Sequence, residues 1–282
     1  MAPIDRLIRM ADKLPASWRE RLWHSPLRPA VRRLLDLVAP VQLTVVPLAR
    51  PLEGHRMRVN WRMQASYAFG TYEREVVQAV QAVIRPGWLA VDVGANVGYF
   101  TLLLAKLVGA QGRVIAFEPL PENFVILREN VRLNQYANVT LEQMAVTDRT
   151  GTLRLYRRRE HLLTGSASIV HGPGDGIEVP ATALDAYLEA TGTRVGFVKI
   201  DVEGAEAAVL AGMRRVLAED RPLVVVELDG DPSENQLTLS TLRRSGYRPR
   251  YLDEPPNVSI AHVLAEPGNR RERNYTLCGS PS

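Results

Sequence analysis

From residue 72 onward the chain alternates short apolar runs with amphipathic helical ones, about 30 residues to the repeat, which confines it to a parallel, doubly wound sheet. "YEREVVQAVQAVI" has apolar residues at helical spacing, "GWLAVDVG" is a continuous apolar run of strand length, and "NVGYFTLLLAKLVG" is helical again. "GRVIAFEP", "PENFVILRENVRLNQ" and "NVTLEQMAV" repeat the order strand, helix, strand. The pattern resumes after residue 194 with "RVGFVKID", "EGAEAAVLAGMRRVLAE", "RPLVVVELD", "SENQLTLSTLRRSG" and "YRPRYL". "GNRRERNYTLCGSPS" is left for a final strand and a frayed tail. The fold class predicted is α/β, a Rossmann-like and mostly parallel sheet with helices on both faces.

Two stretches break the rhythm. Residues 147–193 lie between the third and fourth strands and combine an extra strand ("GTLRLYR"), a glycine-rich loop ("TGSASIVHGPGDGIEV") and a short helix ("TALDAYLEATG") with Thr182 as N-cap. A long loop beside the ligand edge of a sheet suits a substrate-side lid. Residues 1–65 read as an extension to a domain spanning 66–282. Within it, Ile4, Leu7, Ile8, Met10, Val31, Leu34, Leu35 and Leu37 mark two or three short amphipathic helices broken by Pro15, Pro26 and Pro29. Residues 41–62 alternate around a Glu-Gly turn, as a β-hairpin does. The N-terminal helices are candidates for a homodimer interface.

Composition narrows the partners. The net charge of +4 raises the question of nucleic acid, but among 35 basic residues only Lys13, Lys106 and Lys199 are lysine, and the arginines are scattered rather than striped. No nucleic-acid partner is expected. Cys278 is the sole cysteine, so neither an intrachain disulfide nor a cysteine metal cluster can form. No apolar run approaches the roughly 18 residues of a membrane span, and the first residues lack a signal-peptide core. The simplest placement is cytoplasmic.

The turn "VDVGANVGYFT" (91–101) identifies the ligand by its charge. Gly94 and Gly98 allow the backbone to approach closely, and Asn96 tolerates a left-handed conformation. Glu118 ends the second strand, twenty residues beyond Gly98, where an acid commonly bonds the ribose hydroxyls of an adenosine. Those features suit NAD and S-adenosylmethionine alike. Asp92 separates them, because a carboxylate at the turn repels a pyrophosphate and attracts an ammonium or sulfonium. A nicotinamide-dependent dehydrogenase is the disfavoured enzyme alternative. A scaffold protein that had lost its chemistry would show a damaged turn, which this chain does not.

These pieces, in order with "GTYERE" (70–75), "VIAFEPLPENF", "NVRLNQYANVTL", "MAVTDRTGTLRLY", "ATALDAYL", "FVKIDVEGAEAAVLAG" and "RPLVVVEL", resemble the FkbM family of S-adenosylmethionine-dependent methyltransferases. The resemblance covers roughly residues 66–230. It implies a methyltransferase acting on a hydroxyl of a sugar, glycolipid or secondary metabolite, with a small-molecule or glycan acceptor. Carried onto its motifs, it adds Tyr72, Glu73, Tyr99, Asn123, Ala145 and Asp201 to the donor-binding residues Asp92, Gly94, Asn96, Gly98 and Glu118.

Transfer to a hydroxyl needs a proton acceptor. Asp201 and Glu203 lead, followed by His171 and then His161 in the glycine-rich loop, while Glu206 reads as structural, favoured where it opens a helix. No metal is assigned. The alternative would use Asp201, Glu227 and Asp229, but in the family pattern a histidine commonly stands where Asp229 does. N- or carboxyl-methylation of a small molecule is the other methyltransferase reading. "DEPPN" (253–257) lacks the aromatic and the position of an amino-methylating DNA enzyme motif and reads as a proline turn.

Overall fold

The computed structural model describes residues 43–157, 167–168, 176–189, 191–229, 231–252 and 260–268. The N-terminal helices, His161, His171, "DEPPN" and the tail lie outside the described residues. A hairpin of β1 (Thr44–Pro47) and β2 (Arg56–Val59) opens the described chain. Helices α1 (Trp61–Phe69) and α2 (Arg74–Val83) follow. Then come β3 (Leu89–Val93), α3 (Tyr99–Val108), β4 (Arg113–Phe117), α4 (Pro121–Leu133) and β5 (Val139–Glu142). After the intervening sheet the alternation returns with β10 (Val195–Ile200), α6 (Glu206–Ala211), β11 (Leu223–Asp229), α7 (Pro232–Arg244), β12 (Tyr247–Tyr251) and β13 (Ile260–Pro267).

The main sheet has the order β12-β13-β11-β10-β3-β4-β5, parallel except for β13, which runs antiparallel to both neighbours. Strand alternation sends Ala90, Val114, Phe197, Val225 and Leu264 into one apolar layer, covered by α2, α3 and α4. Val91, Ile115, Val198, Val226 and Val263 go to the other, which contains Leu184, Val209, Leu210 and Leu242. The strand order reverses between β3 and β10, and such a reversal opens a ligand crevice at the carboxyl ends of the two strands.

The insertion, together with β6 (Ala145–Thr147) at its entry, forms a separate four-stranded sheet in the order β6, β9 (Gly176–Ala183), β7 (Gly151–Arg157) and β8 (Ala167–Ser168), and α5 (Leu184–Glu189) follows. Several expectations are corrected here. "NVTLEQMAV" is two strands in two different sheets, broken at Gln143 and Met144. Thr182 caps no helix; it lies in β9, two residues before α5 begins. "EGAEAAVLAGMRRVLAE" is not one helix. It stops at Gly212, where a Cβ would stand 1.9 Å from the Thr147 carbonyl oxygen, and restarts as a π-helical turn, Val216–Asp220. The last described strand is β13, and the segment expected to supply a final strand lies almost wholly outside the described residues.

The hairpin is joined to the sheet's helical layer. Asn134 Oδ1 accepts from the Arg56 amide at 2.9 Å and its Nδ2 donates to the Arg56 carbonyl at 2.8 Å. Asn130 Oδ1 accepts from the Arg58 amide at 2.7 Å, while its Nδ2 donates to the Val97 carbonyl at 2.8 Å, so one buried amide joins hairpin and glycine turn.

Candidate active site

At the strand-order reversal the backbone leaves no room for side chains. The amides of Gly94 and Ala95 both donate to the Phe117 carbonyl, at 3.0 and 2.9 Å, folding the end of β3 against β4. Gly94 and Gly98 have φ of 82° and 97°, a region that favours glycine, and Asn96 between them has φ 50°. Glu118 braces this turn from β4. Its Oε2 accepts from the Asn96 amide at 2.8 Å and its Oε1 from the Leu120 amide at 2.9 Å, with Asn123 Nδ2 at 3.4 Å. Burial dominates those bonds and pushes the Glu118 carboxyl up to about 7. Ala145 is buried nearby, in a small apolar cluster with Leu120 and Ala181.

Asp92 departs from the sequence expectation. It does not stand at the mouth of the turn. It is fully buried, because alternation turns it to the same face as Ala90 and towards Thr101 of α3. Thr101 Oγ1 donates to Asp92 Oδ2 at 2.6 Å, and Oδ1 has no hydrogen-bond partner among the described residues. Burial raises its carboxyl above the usual range, opposed by the Lys199 ammonium.

The register carries this polar face across the sheet. Lys199 of β10 pairs with Asp92, and Glu227 of β11 pairs with His262 of β13. Lys199 Nζ donates to Asp201 Oδ2 at 2.7 Å and lies 4.7 Å from the Phe100 ring centroid. Burial alone would lower its pKa, but the carboxylates of Asp201, Glu73, Asp92 and Glu227 drive it well above the ordinary lysine value. Glu73 enters from the loop before α2 in a left-handed conformation, φ 36° and ψ 56°. Its Oε2 lies 3.4 Å from His262 Nε2, and Glu227 Oε2 lies 3.1 Å from that same nitrogen. Burial would lower His262, yet its hydrogen bonds to Glu227 and Glu73 and the charges of both carboxylates push it up to about 11. Tyr72 and Tyr67 pack edge-on at 4.5 Å, and both contact the Tyr99 ring, at 5.3 and 4.9 Å. The Tyr99 hydroxyl is buried without a hydrogen-bond partner among the described residues.

The structure therefore brings Tyr72, Glu73, Asp92, Tyr99 and Asp201 to one side of the turn and Asn96, Glu118, Asn123 and Ala145 to the other. Glu203 follows Asp201 at φ 54°; left-handed non-glycine residues at Glu73, Asn96 and Glu203 are strain of the kind that gathers at functional sites. Glu206 is structural in its geometry, since its Oε1 accepts from the Gly204 amide at 3.0 Å. His262 was missed in the sequence, although the apolar alternation in "IAHVLAE" was a usable strand signal.

A Rossmann-like sheet with a glycine turn and an acid after its second strand is built for an adenosine-bearing ligand, and the relatives of the chain make it a methyltransferase that uses S-adenosylmethionine. The model of the methyltransferase FkbM domain matches residues 92–249. A 31-O-demethyl-FK506 methyltransferase from Streptomyces tacrolimicus is 30% identical over 202 residues, covering 58% of this chain and 74% of that protein. Methyltransferase 1 from Beauveria bassiana is 26% identical, covering 62% of this chain and 80% of its own length. The solved FkbM methyltransferase of Methylobacillus flagellatus superposes with a TM-score of 0.47 at 15% identity, over 93% of this chain and 77% of that one. The chain belongs to the FkbM methyltransferase family. Among the described residues no helix is long and apolar enough to cross a membrane.

The residues present fit the methyl donor. Asn96 Oδ1 and the Tyr99 hydroxyl are buried polar atoms still lacking a hydrogen bond, and ribose hydroxyls and an ammonium are donors that would satisfy them.

Proposed function

We propose that this methyltransferase acts on a hydroxyl of a small metabolite or glycan, with Asp201 as proton acceptor. The observation that carries the reading is the position of Asp201. Its backbone packs against Gly94 at the donor turn, while its side chain, one-fifth exposed, is held by Lys199 beside the carboxylate-rich end of β11. The Streptomyces relative supports it, since its own name specifies an acceptor that lacks a methyl on oxygen.

Asn96, Tyr99 and Glu118 would hold S-adenosylmethionine, which supplies a methyl group on a positively charged sulfur. Everything else falls to the chain. Gly94 and Gly98 admit the ligand to the backbone, and the tyrosines exclude water from one side. Lys199 fixes Asp201, and Asp201 takes the hydroxyl proton as the new carbon–oxygen bond forms, the methyl carbon–sulfur bond breaking with its electron pair left on the departing S-adenosylhomocysteine.

Labelled S-adenosylmethionine incubated with cell extract should yield a labelled methyl ether, which withstands mild alkali. A labelled methylamine, or a methyl ester released by alkali, overturns the oxygen assignment. Asp201→Asn should lower kcat by about 100-fold or more, with affinity for S-adenosylhomocysteine retained.

Glu118 sets a pH dependence with two opposite signs. Its folded carboxyl titrates near 7 against 4.5 ordinarily, so its contribution to stability is full below 4.5 and is lost as pH rises through 7. Donor binding runs the other way, because the ionised carboxylate accepts hydroxyl hydrogen bonds best. Affinity for S-adenosylhomocysteine should rise between pH 6 and 8 on the order of tenfold, the worth of one charge-assisted bond. Calorimetry on Glu118→Gln should show weaker binding that no longer varies over that range; a variant with the wild-type profile would refute the role.

A further inference from the structure

Both carboxylates of the β11–β13 cluster converge on one atom. Glu227 Oε2 stands 3.1 Å and Glu73 Oε2 3.4 Å from His262 Nε2, and the three ligand atoms lie within 4.8 Å of one another. A protonated Nε2 has one hydrogen to give. Glu73 Oε2, buried and 3.4 Å from Nε2, is left with at most the long second share of that hydrogen. A metal ion can satisfy all three atoms at once. With bonds of about 2.0–2.2 Å, neighbouring ligand atoms of a tetrahedral or octahedral ion stand about 3.0–3.5 Å apart, which is the spacing observed to either side of Nε2.

The scaffold holds this geometry firmly. Glu227 and His262 are register partners on hydrogen-bonded strands, with side chains only 11% exposed. Glu73 reaches them from a left-handed backbone position that ordinary packing would avoid. Charge admits the same occupant: Asp92, Asp201, Glu73 and Glu227 all act on the buried Lys199, and a divalent ion that displaces the His262 proton puts one more positive charge among them.

We propose that Glu73, Glu227 and His262 form a binding site for one divalent transition-metal ion. One imidazole nitrogen with two carboxylate oxygens suits manganese, cobalt or zinc, whereas magnesium and calcium favour all-oxygen sets. Its use, which rests on the hydroxyl reading above, would be to hold the acceptor oxygen next to Asp201 and lower its pKa.

The test uses the full chain stripped with a chelator and titrated calorimetrically with Mn²⁺, Co²⁺ and Mg²⁺. One Mn²⁺ or Co²⁺ should bind per chain. Glu227→Gln and His262→Asn should each weaken binding by more than the roughly 10–100-fold that outer-shell partners contribute. Unchanged S-adenosylhomocysteine affinity checks that both variants fold. No binding of Mn²⁺ or Co²⁺, or undiminished binding in both variants, overturns the site. Should the variants fail to fold, the wild-type Co²⁺ spectrum decides: bands of an ion with nitrogen and oxygen ligands support it, and the spectrum of the hydrated ion overturns it. If the ion binds as expected but no hydroxyl acceptor takes up label, the metal site stands and the oxygen assignment falls.

Discussion

Gly94→Ala is expected to reduce donor affinity by about 100-fold and to lower the melting temperature by on the order of 10 °C. A Cβ on Gly94 would sit 1.7 Å from the Asp201 carbonyl oxygen and 2.8 Å from its carbon. Both are backbone atoms, so no rotamer change relieves the contact, and the ends of β3 and β10 must separate. The φ of 82° adds about 1–2 kcal/mol of left-handed strain to roughly 1–3 kcal/mol of overpacking. Because the separation moves Asp201 relative to the turn, both halves of the site shift together. Gly98→Ala is a milder comparison, since its Cβ would meet Leu127 Cδ1 at 2.6 Å, the movable end of a side chain. Thermal melts with calorimetric titration of S-adenosylhomocysteine separate the two variants; wild-type values for Gly94→Ala would contradict the packing described at β3 and β10.

Lys199→Met should cost about 3–5 kcal/mol of stability, the range for removing one partner of a buried ion pair. Methionine preserves much of the volume above Phe100 but leaves Asp92, Asp201, Glu73 and Glu227 without the cation they share. The double variant Lys199→Met/Asp201→Asn should recover part of the loss, because the nearest carboxylate, 2.7 Å away, is then neutral. Denaturant titrations of wild type, both single variants and the double close the cycle. A loss below about 1 kcal/mol for Lys199→Met would mean that the lysine behaves like a surface pair.

Most of the sheet was legible because its strands are buried on both faces and read as unbroken apolar runs, as at Leu89–Val93 and Val195–Ile200. The glycine turn was legible for the same kind of reason: Gly94 and Gly98 are demanded locally. What escaped depends on contacts distant in sequence. Thr147 ends a helix at Gly212, 65 positions on. His262 meets Glu227 only through an antiparallel pairing, and meets Glu73 across nearly the whole domain. Asp92 was found by its type and misplaced by its direction, since the alternation that buries Ala90 buries it too.

Asn130 has a practical consequence for anyone rebuilding this protein. Its amide spans from the Arg58 strand to the Val97 carbonyl, so the donor loop leans on a strut whose far end is anchored in the hairpin. A chimera that exchanges residues 44–59 for another segment must offer a backbone N–H at the height of Arg58. Without it the strut has no footing, and the loss is felt first in grip on the methyl donor rather than in the acceptor pocket.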